Sequence, residues 1–387
     1  MGTQLGSLAR RAVLPAGLAI GAAVKTTVDF EKGMRNVNSI AQLSESQFQS
    51  LNKSVLELAG PTAQSPKVLT EGLYDLVSSG FDADESMQIL EKSARAATAG
   101  LTTTEVSTKA VAAVLNAYRL PAKQAGDISD VLFRTVDRGV ITFEELSTNI
   151  GDVLPFASSL GVDLRQVGAS VATMTKAGIS APETMTRIKN VMVAMLKPSE
   201  GLKAAFGELG VSSGEALIKQ EGFQGALEAL IGTTDGSKES VAALFPNIRA
   251  LGGALALTGN NAKAAGEDLQ GMSQAGGATS RALSQQSKSL AFQWQRLRAQ
   301  AEVLGIQFGS KLIPLFSDLV GILSDPKLTA SEKIGKIFST LGQKVTKAIP
   351  EITKAGIKAG AALFSGFAQG WRDMNILGKL LTAGVLI

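Results

Sequence analysis

The side chains that could do chemistry here are carboxylates, hydroxyls and amines, because the 387 residues contain no histidine and no cysteine. A Ser-His-Asp triad, a Cys-His pair and a zinc site built on thiolate or imidazole therefore have no candidates. Paired carboxylates, the remaining route to acid–base work, occur at Asp84-Glu85 and Glu144-Glu145. Both pairs fall where a helix is expected to start, and the helix macrodipole favours negative charge in a first turn. Capping is the expected role for them, not catalysis. No glycine-rich phosphate loop ending in Lys-Ser or Lys-Thr is present, and no G-x-G-x-x-G follows a strand. No catalytic residue, cofactor site, cofactor or metal ligand is assigned, and without cysteine there is no disulfide framework.

The elements around these residues announce themselves by a recurring boundary signal: glycine, an apolar residue, a capping residue, then Glu or Gln three positions on. It occurs at Gly80-Phe81-Asp82 with Glu85, Gly100-Leu101-Thr102 with Glu105, and Gly161-Val162-Asp163 with Gln166. It returns at Gly178-Ile179-Ser180 with Glu183 and Gly210-Val211-Ser212 with Glu215, and more loosely at Gly139-Val140-Ile141-Thr142 with Glu145. The glycine ends one helix in the left-handed conformation, and the apolar residue folds back on it. The Asp, Thr or Ser caps the next helix, and the acid or amide completes a capping box. Amphipathic spacing supports helices between these points, as in Leu69, Leu73, Leu76 and Val77. No alternating strand pattern with a hairpin turn is found. The expected fold is all-α: short capped helices over the first two-thirds, then a heptad-bearing helix and basic amphipathic and apolar helices, in an elongated and oligomeric protein.

Five segments are expected. Residues 1–29 form an apolar Gly/Ala-rich leading helix, although Arg10-Arg11, a short apolar run and Ala22-Ala23 also fit a signal peptide. Residues 30–215 form the helical core, and 216–282 carry Gly/Ala/Ser-rich helices and linker. Residues 283–325 carry a heptad: Leu283, Leu290, Leu297 and Leu304 recur at sevens, with Trp294 and Phe308 at the alternate seam position. Gln286, Gln293, Gln300 and Gln307 flank this seam. It reads either as a coiled-coil surface or as a stripe packed within its own domain, with a break expected from Gly309 to Pro314. Residues 326–387 hold a basic amphipathic helix and the start of an apolar segment. Ile334, Ile337, Phe338, Leu341 and Val345 form its apolar face opposite Lys333, Lys336, Lys344 and Lys347. Such a face suits an anionic membrane, a partner groove or plain solvent exposure. Residues 281–387 hold 14 Lys or Arg and 6 Asp or Glu, so this part is basic. Lysines without aromatic or arginine interleaving give no specific nucleic-acid readout. The apolar end at Leu380 to Ile387 suggests the front portion of a longer chain.

The blocks also occur in a familiar order. Val28-Asp29-Phe30-Glu31-Lys32-Gly33-Met34-Arg35 is followed by Gly72-Leu73-Tyr74-Asp75-Leu76-Val77-Ser78-Ser79-Gly80-Phe81, then by Ala97-Thr98-Ala99-Gly100. Val114-Leu115-Asn116-Ala117-Tyr118, Leu160-Gly161-Val162, Phe292-Gln293-Trp294, Gly305-Ile306-Gln307-Phe308-Gly309 and Leu312-Ile313-Pro314 complete the series. Over roughly residues 20–325 the chain resembles the tape-measure (minor tail) proteins of long-tailed bacteriophages. The resemblance implies no enzyme activity. It implies a protein that lies in the tail lumen, sets the length of the tail tube and leaves ahead of the DNA. Its implied partners are further copies of itself in a bundle, tail-tube subunits, tail-tip or baseplate proteins, tail assembly chaperones and the host membrane during ejection. It implies a virion location, after assembly in the host cytoplasm. The alternative is a secreted helical protein that permeabilises membranes, which would account for the signal-like start and apolar end.

Overall fold

A computed structural model of the chain describes residues 23–100, 102–329, 331–336 and 339–340. The first 22 residues, Leu101 and the sequence beyond residue 340 lie outside these. So do Ile337, Phe338, Leu341 and Val345 of the expected basic amphipathic helix. All regular structure among the described residues is helical. Residues 23–41 are helical (α1), followed by α2 (Glu45–Thr62), α3 (Pro66–Ser78), α4 (Ala83–Ala99), α5 (Thr104–Tyr118) and α6 (Ala125–Arg138). Next come α7 (Phe143–Ile150), α8 (Leu154–Ser159), α9 (Leu164–Lys176), α10 (Ala181–Leu196), α11 (Glu200–Glu208) and α12 (Gly214–Gly232). The series closes with α13 (Lys238–Leu244), α14 (Ile248–Leu257), α15 (Ala262–Ser273), α16 (Ala278–Gln286) and α17 (Leu290–Ser324).

The boundary signal works through two separable parts. Gly80, Gly161, Gly178 and Gly210 all have positive φ, as the left-handed helix end requires. At each, the amide after the glycine reaches a carbonyl in the preceding turn: Phe81 to Leu76, Val162 to Ala157, Ile179 to Met174 and Val211 to Phe206. Gly100 and Gly139 differ, with φ of −87° and −95°. At Gly139 the need is space, since an added Cβ would lie 2.9 Å from both the Thr135 carbonyl oxygen and Thr175 Oγ1. Capping boxes form at Asp82 with Glu85, Thr142 with Glu145 and Asp163 with Gln166. Two caps sit one residue later than their spacing suggests, at Thr103 and Ser213, whose hydroxyls accept from Val106 and Ala216 amides. Ser180 stands at its helix start without a side-chain cap bond. Glu183 there turns forward to Arg187 at 2.8 Å, and Glu105 turns forward to Lys109 at 2.6 Å. These i,i+4 ion pairs compete with the reach back to the cap.

The chain forms two compact units: Asp75–Gln286, and Met1–Tyr74 with Ser287–Ile387. In the first unit α4 packs on α5, α6 and α16, while α9 packs on α6 and α15, and α10 on α14. Residues 216–282 are thus folded elements of this unit. Buried faces of α4 and α5 are built largely from small residues, including Ser93, Ala94, Ala97, Ser107, Ala110 and Ala112. In the second unit α17 packs along α2, with Phe30, Phe48, Val55, Phe292, Ala299 and Ile306 buried. Contrary to the expected break at Gly309 to Pro314, α17 runs unbroken to Ser324. Gly309 is a point of close approach, where an added Cβ would lie 3.0 Å from the Ala23 carbonyl oxygen. A single proline removes one backbone donor and need not end so long a helix.

Candidate interaction surface

The seam residues divide between two helices. Leu283 lies on α16, whereas Leu290, Trp294, Leu297, Leu304 and Phe308 lie on α17, with residues 287–289 non-helical between them. The heptad is therefore not one continuous helix, which corrects the four-repeat seam read from spacing. Within α17 the geometry is simple. At about 3.6 residues per turn, positions 290, 297, 304 and 308 lie roughly opposite 292, 299 and 306. Phe292, Ala299 and Ile306 are the buried stripe, at 6%, 2% and 3% exposure. The leucine seam faces the other way: Leu290 is 59% and Trp294 67% exposed, and Leu297, Leu304 and Phe308 are half-buried. One helix thus carries two apolar stripes, one packed within its unit and one outward. Of the basic amphipathic face only Ile334 is described, and it is 56% exposed.

The polar groups serve the scaffold. Glu85 and Glu145 close their capping boxes, and Glu144 accepts the Thr102 hydroxyl at 2.6 Å. Among the described residues no group of three or more acidic side chains is placed to hold a metal ion. In the unit that carries α17, a groove of about 490 Å³ is floored by Phe30, Phe48, Leu56 and Ile306 and rimmed by Arg35, Lys53 and Glu57. Its mixed rim concentrates no charge for an anion or a metal. Among the described residues no helix is long and apolar enough to cross a membrane.

Two buried carboxylates, invisible to sequence reading, hold the first unit together. Asp268 on α15 is fully buried. It accepts from Lys176 Nζ at 2.6 Å, Thr173 Oγ1 at 2.7 Å and Arg138 Nε at 2.9 Å. Asp130 on α6 accepts the backbone amides of Gly277 at 2.6 Å and Thr279 at 2.9 Å, at the start of α16. Neither aspartate sits in a local motif. Each looks like one more charge on an amphipathic helix until the fold supplies its partners. Tyr118 adds a third tie, donating to the Val162 carbonyl at 2.9 Å. Burial, with the nearby Asp163 charge, pushes its phenol well above the ordinary tyrosine range. At the surface, hydrogen bonds from the Ser237 hydroxyl and amide bring Asp235 down to about 2.

Among the described residues the scaffold is all-helical and tied by polar staples, and α17 carries a partly exposed heptad face. Residues 52–248, about half of the chain, match the family described as phage-related minor tail protein, and the chain belongs to that family. It is similar to a probable tape measure protein of Clostridium phage phiCD119, 28% identical over 370 residues, which cover 88% of this chain and 39% of the relative. It is also similar to a tape measure protein of Pneumococcus phage Dp-1, 24% identical over 307 residues, covering 78% of this chain and 27% of the relative. The chain therefore spans well under half the length of these relatives. No solved structure matches it.

Proposed function

We propose that this chain belongs to a tail tape measure: it lies in the lumen of a phage tail, sets the length to which tube subunits polymerise, and departs ahead of the DNA. The observation that carries this reading is the match to named tape measure proteins over most of the chain. The outward α17 seam supports the accompanying view that several copies associate through Leu290, Trp294, Leu297, Leu304 and Phe308. Tail-tube subunits, tail-tip or baseplate proteins and assembly chaperones are the further partners. The basic amphipathic face around Ile334 is the part assigned to the host membrane during ejection. The role is structural and not enzymatic. A secreted membrane-permeabilising protein gains no support from the family or from these relatives.

The test is genetic. Duplicating the 35 residues of α17 in frame should lengthen the tail by about 50 Å at 1.5 Å per helical residue. Tube diameter and subunit structure should stay the same. Tails of unchanged length in electron micrographs would refute a ruler role for this segment.

A further inference from the structure

Within α17 the outward face is patterned in side-chain size as well as in period. Its seam runs Leu290, Trp294, Leu297, Ala301, Leu304 and Phe308, spaced by four and three in turn. Leucine holds one seam position of each heptad, and Trp, Ala and Phe share the other. All six are exposed or half-buried, on the side of the helix away from Phe292, Ala299 and Ile306. This order decides how two such faces can meet. In a parallel pair each residue meets its own copy. Trp294 on Trp294 and Phe308 on Phe308 then hold the helices apart, and Ala301 on Ala301 between them leaves a gap. In the antiparallel pair that overlaps all six, Leu290 meets Phe308, Trp294 meets Leu304 and Leu297 meets Ala301. Every layer sets a leucine against a residue of the other kind, so no layer doubles the tryptophan or leaves alanine facing alanine.

The flanks of the seam agree. An antiparallel pair brings like flanks together, so Gln300 meets Gln300 and Gln293 meets Gln307. A glutamine amide both donates and accepts, so identical side chains can bond one another without charge. On the other flank Ala291 meets Gly305, two small residues. Arg298 there meets its own copy, and Glu302 at 3.2 Å from each guanidinium offsets the like charge. We infer that two copies of this chain pair antiparallel along residues 290–308 of α17, about a twofold axis at the level of Ala299. Every contact in such a self-complementary interface is made twice. The inference rests on the proposed self-association through this seam, and the measurements separate the two.

The chain has no cysteine of its own, so single cysteines report the pairing in the full chain. Leu290→Cys, Phe308→Cys, an equal mixture of the two, and Ser50→Cys on the exposed face of α2 are oxidised by dissolved oxygen with a copper catalyst. A disulfide needs Cα atoms within about 7 Å. In the antiparallel pair positions 290 and 308 of opposite copies are adjacent, whereas the two copies of position 290 lie about 27 Å apart along the axis. The mixture should therefore link about tenfold or more faster than either variant alone. Each alone should link no faster than Ser50→Cys, which sets the rate of chance encounters. A second readout, by sedimentation, needs no disulfide. Leu297→Asp and Ala301→Lys should each weaken association by about tenfold or more, and the double variant should recover it because the two positions face one another. Self-linking of Leu290→Cys and Phe308→Cys faster than their mixture, or a double variant weaker than either single one, would overturn antiparallel pairing and leave association through the seam standing. A parent chain that sediments as a monomer at high concentration, or whose association ignores Leu297→Asp and Ala301→Lys, would overturn both.

Discussion

Asp268→Asn is the most direct probe of how the larger unit is held. The carboxylate is fully buried and serves three donors from α6 and α9. Breaking a buried ion pair costs about 3–5 kcal/mol when the abandoned charge stays in the interior. Here the abandoned charges can partly recover water, because the Arg138 and Lys176 side chains are 27% and 38% exposed. Asparagine can still accept the Thr173 hydroxyl. The expected loss is therefore nearer 2–3 kcal/mol, just below the range for pairs whose abandoned charge stays dry. Urea unfolding followed by circular dichroism measures it. A triple change, Asp268→Leu with Arg138→Met and Lys176→Met, should return stability to within about 1 kcal/mol of the parent, since a well-packed apolar set can replace a buried ionic one. If Asp268→Asn moved the free energy by less than about 0.5 kcal/mol, α15 would be held by its apolar stripe and the ionic account would be wrong.

Two further outcomes are expected. Thr103→Ala and Thr142→Ala should each cost about 1 kcal/mol, whereas Ser180→Ala should fall within about 0.5 kcal/mol because its hydroxyl makes no cap bond; equal losses at all three in denaturation midpoints would refute the cap assignment. Asp235, lowered to about 2 from 3.8, contributes stability that is present above its unfolded value and lost as pH falls through the folded one; an NMR titration midpoint for Asp235 near 3.8 would contradict the Ser237 hydrogen bonds as placed.

What the sequence made legible was local. The four left-handed glycines and three capping boxes each depend on residues within one turn of each other, so spacing alone locates them. The one-residue shift to Thr103 has a tertiary cause: with Thr103 as the cap, Thr102 is left to bond Glu144 across to α7. The heptad was legible as a period, but spacing cannot say that residues 287–289 interrupt it, or that the start of α16 is bound by Asp130, a residue 147 positions before its Gly277 partner. Asp268 was illegible for the same reason. The family blocks make better sense with the structure in hand. Tyr118 from one block bonds Val162 from another, and Asn116 Nδ2 donates to the Ser79 carbonyl in a third. Blocks that are separate words in the sequence are the two halves of single contacts.

The packing of α16 on α4 has a consequence for how such a chain can change. The first and last complete helices of the larger unit, α4 and α16, touch, so this unit closes on itself. The 75–286 segment is a unit closed on itself, of the kind that can be enlarged or exchanged as a whole. On the proposed ruler role, residues inside such a closed unit add mass without adding distance. Chain length and tail length would then be free to drift apart between related phages, each accumulating changes in a different part of the same polypeptide.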